Sequence, residues 1–141
     1  MGRINLITGR KSYRMEGIEN MLGISPQSAQ ASHFWAALDK LAASCQIIID
    51  RPKNSRHPKY PEITYPIDYG YLQGTTAMDG GGIDIWKGSG NQIDAIICTI
   101  DLTKKDSEIK ILIGCNEEEK QQVLAFHNNS EAMKGMLVRR A

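Results

Sequence analysis

Apolar and polar positions follow two different rhythms along this chain, and the rhythm changes near residue 45. Before that point Phe34, Trp35, Leu38, Leu41 and Ala42 recur at helical spacing. Ser25-Pro26 supplies an N-cap followed by proline at the first helical position, so a helix is predicted over 27–43. From Gln46 the pattern turns to short β-branched runs: "QIIID" (46–50), "ITYPIDYGYL", "GIDIWKG", "DAIICTIDL" and "EIKILIGC". Gly, Asp, Asn and Lys turns separate them, and the spacing predicts a small barrel rather than βαβ units. "NEEEKQQVLAFHN" predicts a second helix, with Asn116 as N-cap, Glu119 completing a capping box, and Glu117 and Glu118 at the positive end. "GMLVRR" (135–140) predicts a closing strand. Residues 1–24 carry a mixed pattern with glycines at 2, 9, 17 and 23; they read as an N-terminal extension, weakly ordered or an interaction arm. Residues 25–141 read as one domain.

Strand alternation sorts side chains by face. Ile109, Ile111 and Ile113 fall on one face of their strand, the expected core side, and Glu108 and Lys110 on the other. Ile83 and Ile85 share one face of theirs, Asp84 and Trp86 the other. Simple alternation puts Asp50 on the face of Ile48. Acids therefore recur on strand faces and strand ends, where a barrel would converge them on one mouth.

Charge narrows the picture little. The 17 basic and 16 acidic residues give a net charge of +1, which supplies no field for nucleic acid or a membrane surface. No apolar run approaches the ~18 residues of a membrane span, and no secretory signal is evident. Cys45, Cys98 and Cys115 form no C-x-x-C pair, which fits a reducing cytoplasm, and Cys98 is expected to be a buried thiol. His33, His57 and His127 have no ligand spacing, which argues against zinc.

Local chemistry is more specific. "TTAMDGGGIDIW" (75–86) sets Asp79 and Asp84 around three glycines, either a plain turn or a metal loop. No Lys-Ser/Thr follows the glycines, and a strand follows instead of a helix, so this is not a nucleotide phosphate loop. The segment 51–60 holds Arg51, Lys53, Arg56 and Lys59 and no acid, either a solvated loop or a phosphate cradle. Tyr60, Tyr65, Tyr69 and Tyr71 offer sheet packing or hydroxyl donors. Carboxylates together with cations suit a metal–phosphate ligand, because Mg²⁺ is commonly held by one or two carboxylates plus phosphate oxygens.

Those residues in that order resemble the soluble inorganic pyrophosphatases of the β-barrel family, from about Gln46 to about His127. "IIIDRP" looks like that family's strand with an acid before Arg/Ile-Pro. "HPKY" is similar to its Lys-Tyr step, "IDYGYLQGT" to its Asn-Tyr-Gly-Tyr segment, and "DSEIKILIG" to its later Asp-x-Lys strand. "DGGGID" resembles its signature Asp-Gly-Asp-Pro-x-Asp. The resemblance implies an α+β fold on a five-stranded OB-like β-barrel with flanking helices. It implies a cytoplasmic Mg²⁺-dependent phosphoanhydride hydrolase, with Mn²⁺ as the alternative metal, acting on a small phosphate compound, inorganic pyrophosphate first. Asp79, Asp84, Asp106, Glu108 and Asp50 would be metal ligands; Asp84, Tyr69 and Lys110 would carry catalysis. Lys59, Lys110, Tyr69 and Arg56 would bind substrate. A homo-oligomer would be in keeping with the family.

The sequence departs from that pattern in three places. Gly81 stands where the signature has its middle aspartate, which in the family binds metal and helps deprotonate the attacking water. The hairpin with a phosphate-binding arginine is missing between Tyr60 and Tyr65, leaving Arg51 or Arg56 to substitute. The later Tyr-Lys pair reads His127-Asn128. Weak or altered activity is therefore expected. The alternative is a non-catalytic metal–phosphate binding or assembly protein on the same fold.

Overall fold

The computed structural model describes residues 26–141; the extension expected over 1–24 lies outside them. The chain divides into two compact units, Met1–Ala37 and Leu38–Ala141, and the sheet belongs to the second. Helix α1 runs Pro26–Ala43 and ends where the Ser44 N–H and hydroxyl turn back onto the carbonyls of Lys40 and Leu41. In its last turns Asp39 accepts two hydrogen bonds from Arg140, at 3.1 and 3.0 Å.

Six strands follow: β1 (Ile47–Arg51), β2 (Asp68–Leu72), β3 (Ile83–Lys87), β4 (Ile93–Asp101), β5 (Asp106–Ile113) and β6 (Met133–Arg139), with α2 (Glu117–Phe126) between the last two. Their spatial order is β1-β2-β3-β5-β4-β6. All neighbours are antiparallel except β3 and β5. The expected five-stranded barrel is thus corrected to a six-stranded open sheet in an α+β fold. Among the described residues no pairing joins β1 to β6.

Both edge strands carry an irregularity. On β6 the Gly135 N–H and carbonyl are both bonded by the Asn128 side-chain amide, at 3.2 and 3.0 Å, so a side chain takes the place of another strand. On β1 the register slips between Ile49 and Arg51, a bulge that interrupts regular pairing.

The capping box of α2 forms as the sequence predicts. Asn116 Oδ1 accepts from the Glu119 N–H and Glu119 Oε1 from the Asn116 N–H, each at 2.8 Å. Helix α2 covers the sheet face that carries Tyr69, Trp86, Ile97 and Leu112, where Val123 joins the core and Phe126 meets the Trp86 ring edge-on. This corrects the expected facing. Ile111 and Ile113 are buried, but Ile109 is 46% exposed, while Lys110 and Leu112 on the opposite face are buried too. The C-terminal half of β5 is covered on both faces; its N-terminal half is not. Cys98, expected to be buried, is half-buried, and Cys115 is the buried thiol.

His127 and Asn128 serve the framework. His127 Nε2 accepts the Trp86 indole N–H at 3.1 Å, which leaves the proton of the neutral ring on Nδ1, 3.4 Å from Met133 Sδ. Burial, then the charge of Lys110, lowers the His127 pKa to about 3.

Candidate active site: a buried ammonium between two strand carboxylates

The aromatic face ends in a cluster of ionisable groups. Pairing sets Tyr69 opposite Trp86 and Tyr71 opposite Asp84, while on the far side of β3 the parallel strand β5 runs alongside. Alternation then brings Tyr69, Asp84, Glu108 and Lys110 onto one face. The Lys110 ammonium is the centre of the group. It donates to Glu108 Oε1 at 2.6 Å, to Asp84 Oδ2 at 2.9 Å and to the Tyr69 hydroxyl at 3.2 Å. Tyr69 in turn donates to Asp84 Oδ2 at 2.5 Å.

Electrostatics fixes the protonation of the two central groups. Burial alone would lower the Lys110 pKa, but the Asp84 charge and the hydrogen bonds to Glu108 and Asp84 more than offset it, so Lys110 remains a cation. Burial raises the Tyr69 pKa well above that of a free phenol; Lys110 opposes the rise and Asp84 adds to it, so Tyr69 remains a neutral donor. A lysine ammonium has three N–H donors, and all three are taken here.

Beside this cluster lies a second cation. Arg51 pairs with Tyr69 across β1 and β2. Its Nη1 donates to the Tyr65 hydroxyl at 2.5 Å, and its guanidinium carbon sits 5.6 Å from the centre of that ring. Tyr65 is buried, and its ring lies 5.3 Å from that of Tyr69. Burial raises the Tyr65 pKa, with Arg51 opposing. Sequence alternation had no means of placing Arg51 here. The bulge did so: Ile48 faces Tyr71, and with one extra residue Arg51, not Asp50, returns to that face. Asp50 is exposed at the bulge, off the face expected for it.

The other expected ligands are arranged differently. Asp79 is exposed, and its Oδ1 accepts the Gly81 N–H at 2.9 Å, a turn folded on its own carboxylate. Asp106 opposes Asp101 at the mouth of the β4–β5 hairpin, two residues before Glu108 on the same face. Among the described residues no three His, Cys, Asp or Glu side chains gather into a group able to hold a metal ion. The five-carboxylate set is therefore not assembled; Asp84 and Glu108 are the pair drawn together, through Lys110. Both carboxylates are engaged by the Lys110 ammonium.

Gly81 has room for the missing carboxylate. A Cβ there would have the Asp79 Oδ1 at 3.4 Å as its nearest neighbour, and the left-handed backbone of the turn belongs to Gly80, at φ +86°. Lys59 and Arg56 both sit in the exposed hairpin after β1, Lys59 with its ammonium 5.9 Å from the Tyr60 ring centre and Arg56 bridged to Thr64. That hairpin turns where Ile63 N–H meets the Tyr60 carbonyl at 2.9 Å. No helix among the described residues is long and apolar enough to cross a membrane.

In shape the chain is similar to solved inorganic pyrophosphatases. The Coxiella burnetii enzyme shares 14% identity at a TM-score of 0.47, over 66% of this chain and 84% of that one. The Neisseria gonorrhoeae enzyme shares 11% at 0.48, over 66% and 80%. The Helicobacter pylori enzyme shares 12% at 0.44, over 66% and 81%. No family model and no curated protein sequence matches the chain.

Proposed function

We propose that the Tyr69–Asp84–Glu108–Lys110 face binds a small phosphoanhydride and hydrolyses it slowly with Mg²⁺, inorganic pyrophosphate being the first substrate to test. One observation carries this reading: Tyr69 and Lys110, the phenol and ammonium that the sequence resemblance assigns to the site, converge on Asp84 Oδ2. When bound, Mg²⁺ would be held by Asp84 and Glu108 and would supply charge neutralisation at phosphate oxygens. The chain's own residues do the rest. Tyr69 holds its proton and orients Asp84. Lys110 keeps two carboxylates close that would otherwise repel.

A second reading, binding without turnover, is favoured by Gly81, which leaves the loop without the carboxylate that would help deprotonate water. Phosphate release from pyrophosphate, with Mg²⁺ and then with Mn²⁺, separates the two. We expect slow release that Asp84→Asn abolishes. Release that is absent with both metals, together with saturable pyrophosphate binding, supports the second reading. Release unaffected by Asp84→Asn sinks the first.

A further inference from the structure

From the geometry we infer that Arg51 is the phosphate-binding cation of this face, and that Tyr65 is its positioning residue. The inference rests on the phosphoanhydride reading above and adds a group that reading does not contain. Three observations carry it.

The first is donor saturation. Lys110 has its three N–H groups committed to Glu108, Asp84 and Tyr69. An incoming phosphate oxygen finds no donor there without breaking one of those bonds. Arg51 is the opposite case: a guanidinium has five N–H donors in a fixed fork, and the structure commits one, to the Tyr65 hydroxyl. Among the described residues no carboxylate forms an ion pair with it.

The second is the bulge. A regular β1 would put Arg51 on the face of Ile47 and Ile49, away from the cluster. The slip between Ile49 and Arg51 turns it to Tyr69 instead. Bulges concentrate beside active sites because they re-aim one side chain in this way.

The third is the mounting. Tyr65 is 3% exposed and wedged among Tyr69, Trp86 and Phe126, so its hydroxyl is a fixed point. A half-buried arginine held by a neutral phenol keeps its full charge and a planar edge for two oxygens of one phosphoryl group. The ligand class is accordingly a terminal phosphoryl group, with Arg51 on its oxygens and the Asp84–Glu108 pair beyond the tyrosines.

Calorimetric titration of the full chain with pyrophosphate, with and without Mg²⁺, tests this in wild type, Arg51→Met and Arg51→Lys. We expect Arg51→Met to lose about tenfold in affinity or more, and Arg51→Lys to recover part of it, since an ammonium cannot fork. Tyr65→Phe should weaken binding about threefold, and that loss should vanish in the Arg51→Met background; a merely structural tyrosine would cost the same in both. Wild-type affinity in Arg51→Met, with binding intact in the wild type, overturns the inference and leaves the proposed function standing. No binding by the wild type in either condition overturns both. If Arg51→Met does not fold, the Nε–H resonance of Arg51, assigned from its absence in Arg51→Lys, takes over. It should shift saturably as inorganic phosphate is added to the wild type, and a static resonance overturns the inference.

Discussion

Carboxylates on strands and carboxylates in turns end in different circumstances in this molecule. Asp84 and Glu108 sit in β3 and β5, half-buried or nearly buried, and share one ammonium. Asp79 sits in a turn, is exposed, and accepts the Gly81 N–H. The difference is one of direction. A strand residue's Cβ is aimed by register, so two strands in register aim two acids at one point. A turn residue has no such constraint, and its carboxylate bonds the nearest free N–H, two residues on. Asp84 and Glu108 are thus held where register aims them, and Asp79 is held only by its own turn.

The largest way to break that contrast is at its centre. Lys110→Met removes the ammonium and leaves Asp84 and Glu108 facing each other with little water, side chains 26% and 12% exposed. Breaking a buried pair in this way typically costs ~3–5 kcal/mol. Thermal melting should fall by about 10 °C or more. A midpoint within about 3 °C of wild type would mean that the cluster is solvated and the strand acids are no more constrained than those of the turns.

The next effect tests the framework under the cluster. His127 is held neutral by burial and then by the Lys110 charge, with a folded pKa of about 3 against an unfolded 6.5. Its contribution to stability is complete above pH 6.5, where neither state binds the proton. As pH falls below 6.5 the unfolded chain takes up a proton that the folded chain refuses, so stability is lost down to about pH 3. The slope is at most ~1.4 kcal/mol per pH unit, or roughly 2 kcal/mol by pH 5. Urea melts at pH 7 and pH 5 should show it. His127→Gln, which keeps an acceptor for the Trp86 indole, should remove most of it. An equal pH dependence in that variant would place the titrating group elsewhere.

These two tests also mark what the sequence makes legible. Element existence was read from local rules: the β-branched runs became strands, Asn116 and Glu119 became a capping box, and α1 begins at Pro26 as its N-cap signal implies. Local rules carry no information on which strand lies beside which, so the parallel β3–β5 pair and the open order were out of reach. Alternation identified the face shared by Glu108 and Lys110, but it took that face for the exposed one. The lysine's burial depends on α2 and the aromatic rings closing over its neighbours, a tertiary fact. The sequence leaves Arg51 and Arg56 as alternatives for the same reason, since the direction of Arg51 depends on a one-residue slip.

A smaller effect, and one confined to activity, is expected at Gly81. Gly81→Asp returns a carboxylate to the turn at a position whose backbone any residue can adopt, with only the flexible Asp79 carboxylate near the new Cβ. Folding should be unchanged. Restoring a water-orienting base is worth ~10²–10⁴ when the rest of a site is in place; here at least about tenfold faster Mg²⁺-dependent phosphate release is expected. A folded variant with no gain would show that the strand acids, not the loop, limit the rate.

The smallest expected effect isolates the turn itself. Asp79→Asn keeps the side-chain oxygen that accepts the Gly81 N–H and removes only the charge. Asp79 is exposed and has no cation partner among the ion pairs of the described residues, so metal-free stability should stay within ~0.5 kcal/mol of wild type. If the turn supplies a metal ligand once substrate is present, Mg²⁺ affinity measured by calorimetry with pyrophosphate bound should fall while the melt does not move. A fall in both would mean that the Asp79 charge already stabilises the empty loop, and the line drawn between strand and turn acids would have to be given up. No fall in either would leave Asp84 and Glu108 as the whole of the metal-binding set, and would make the glycine loop a turn and nothing more.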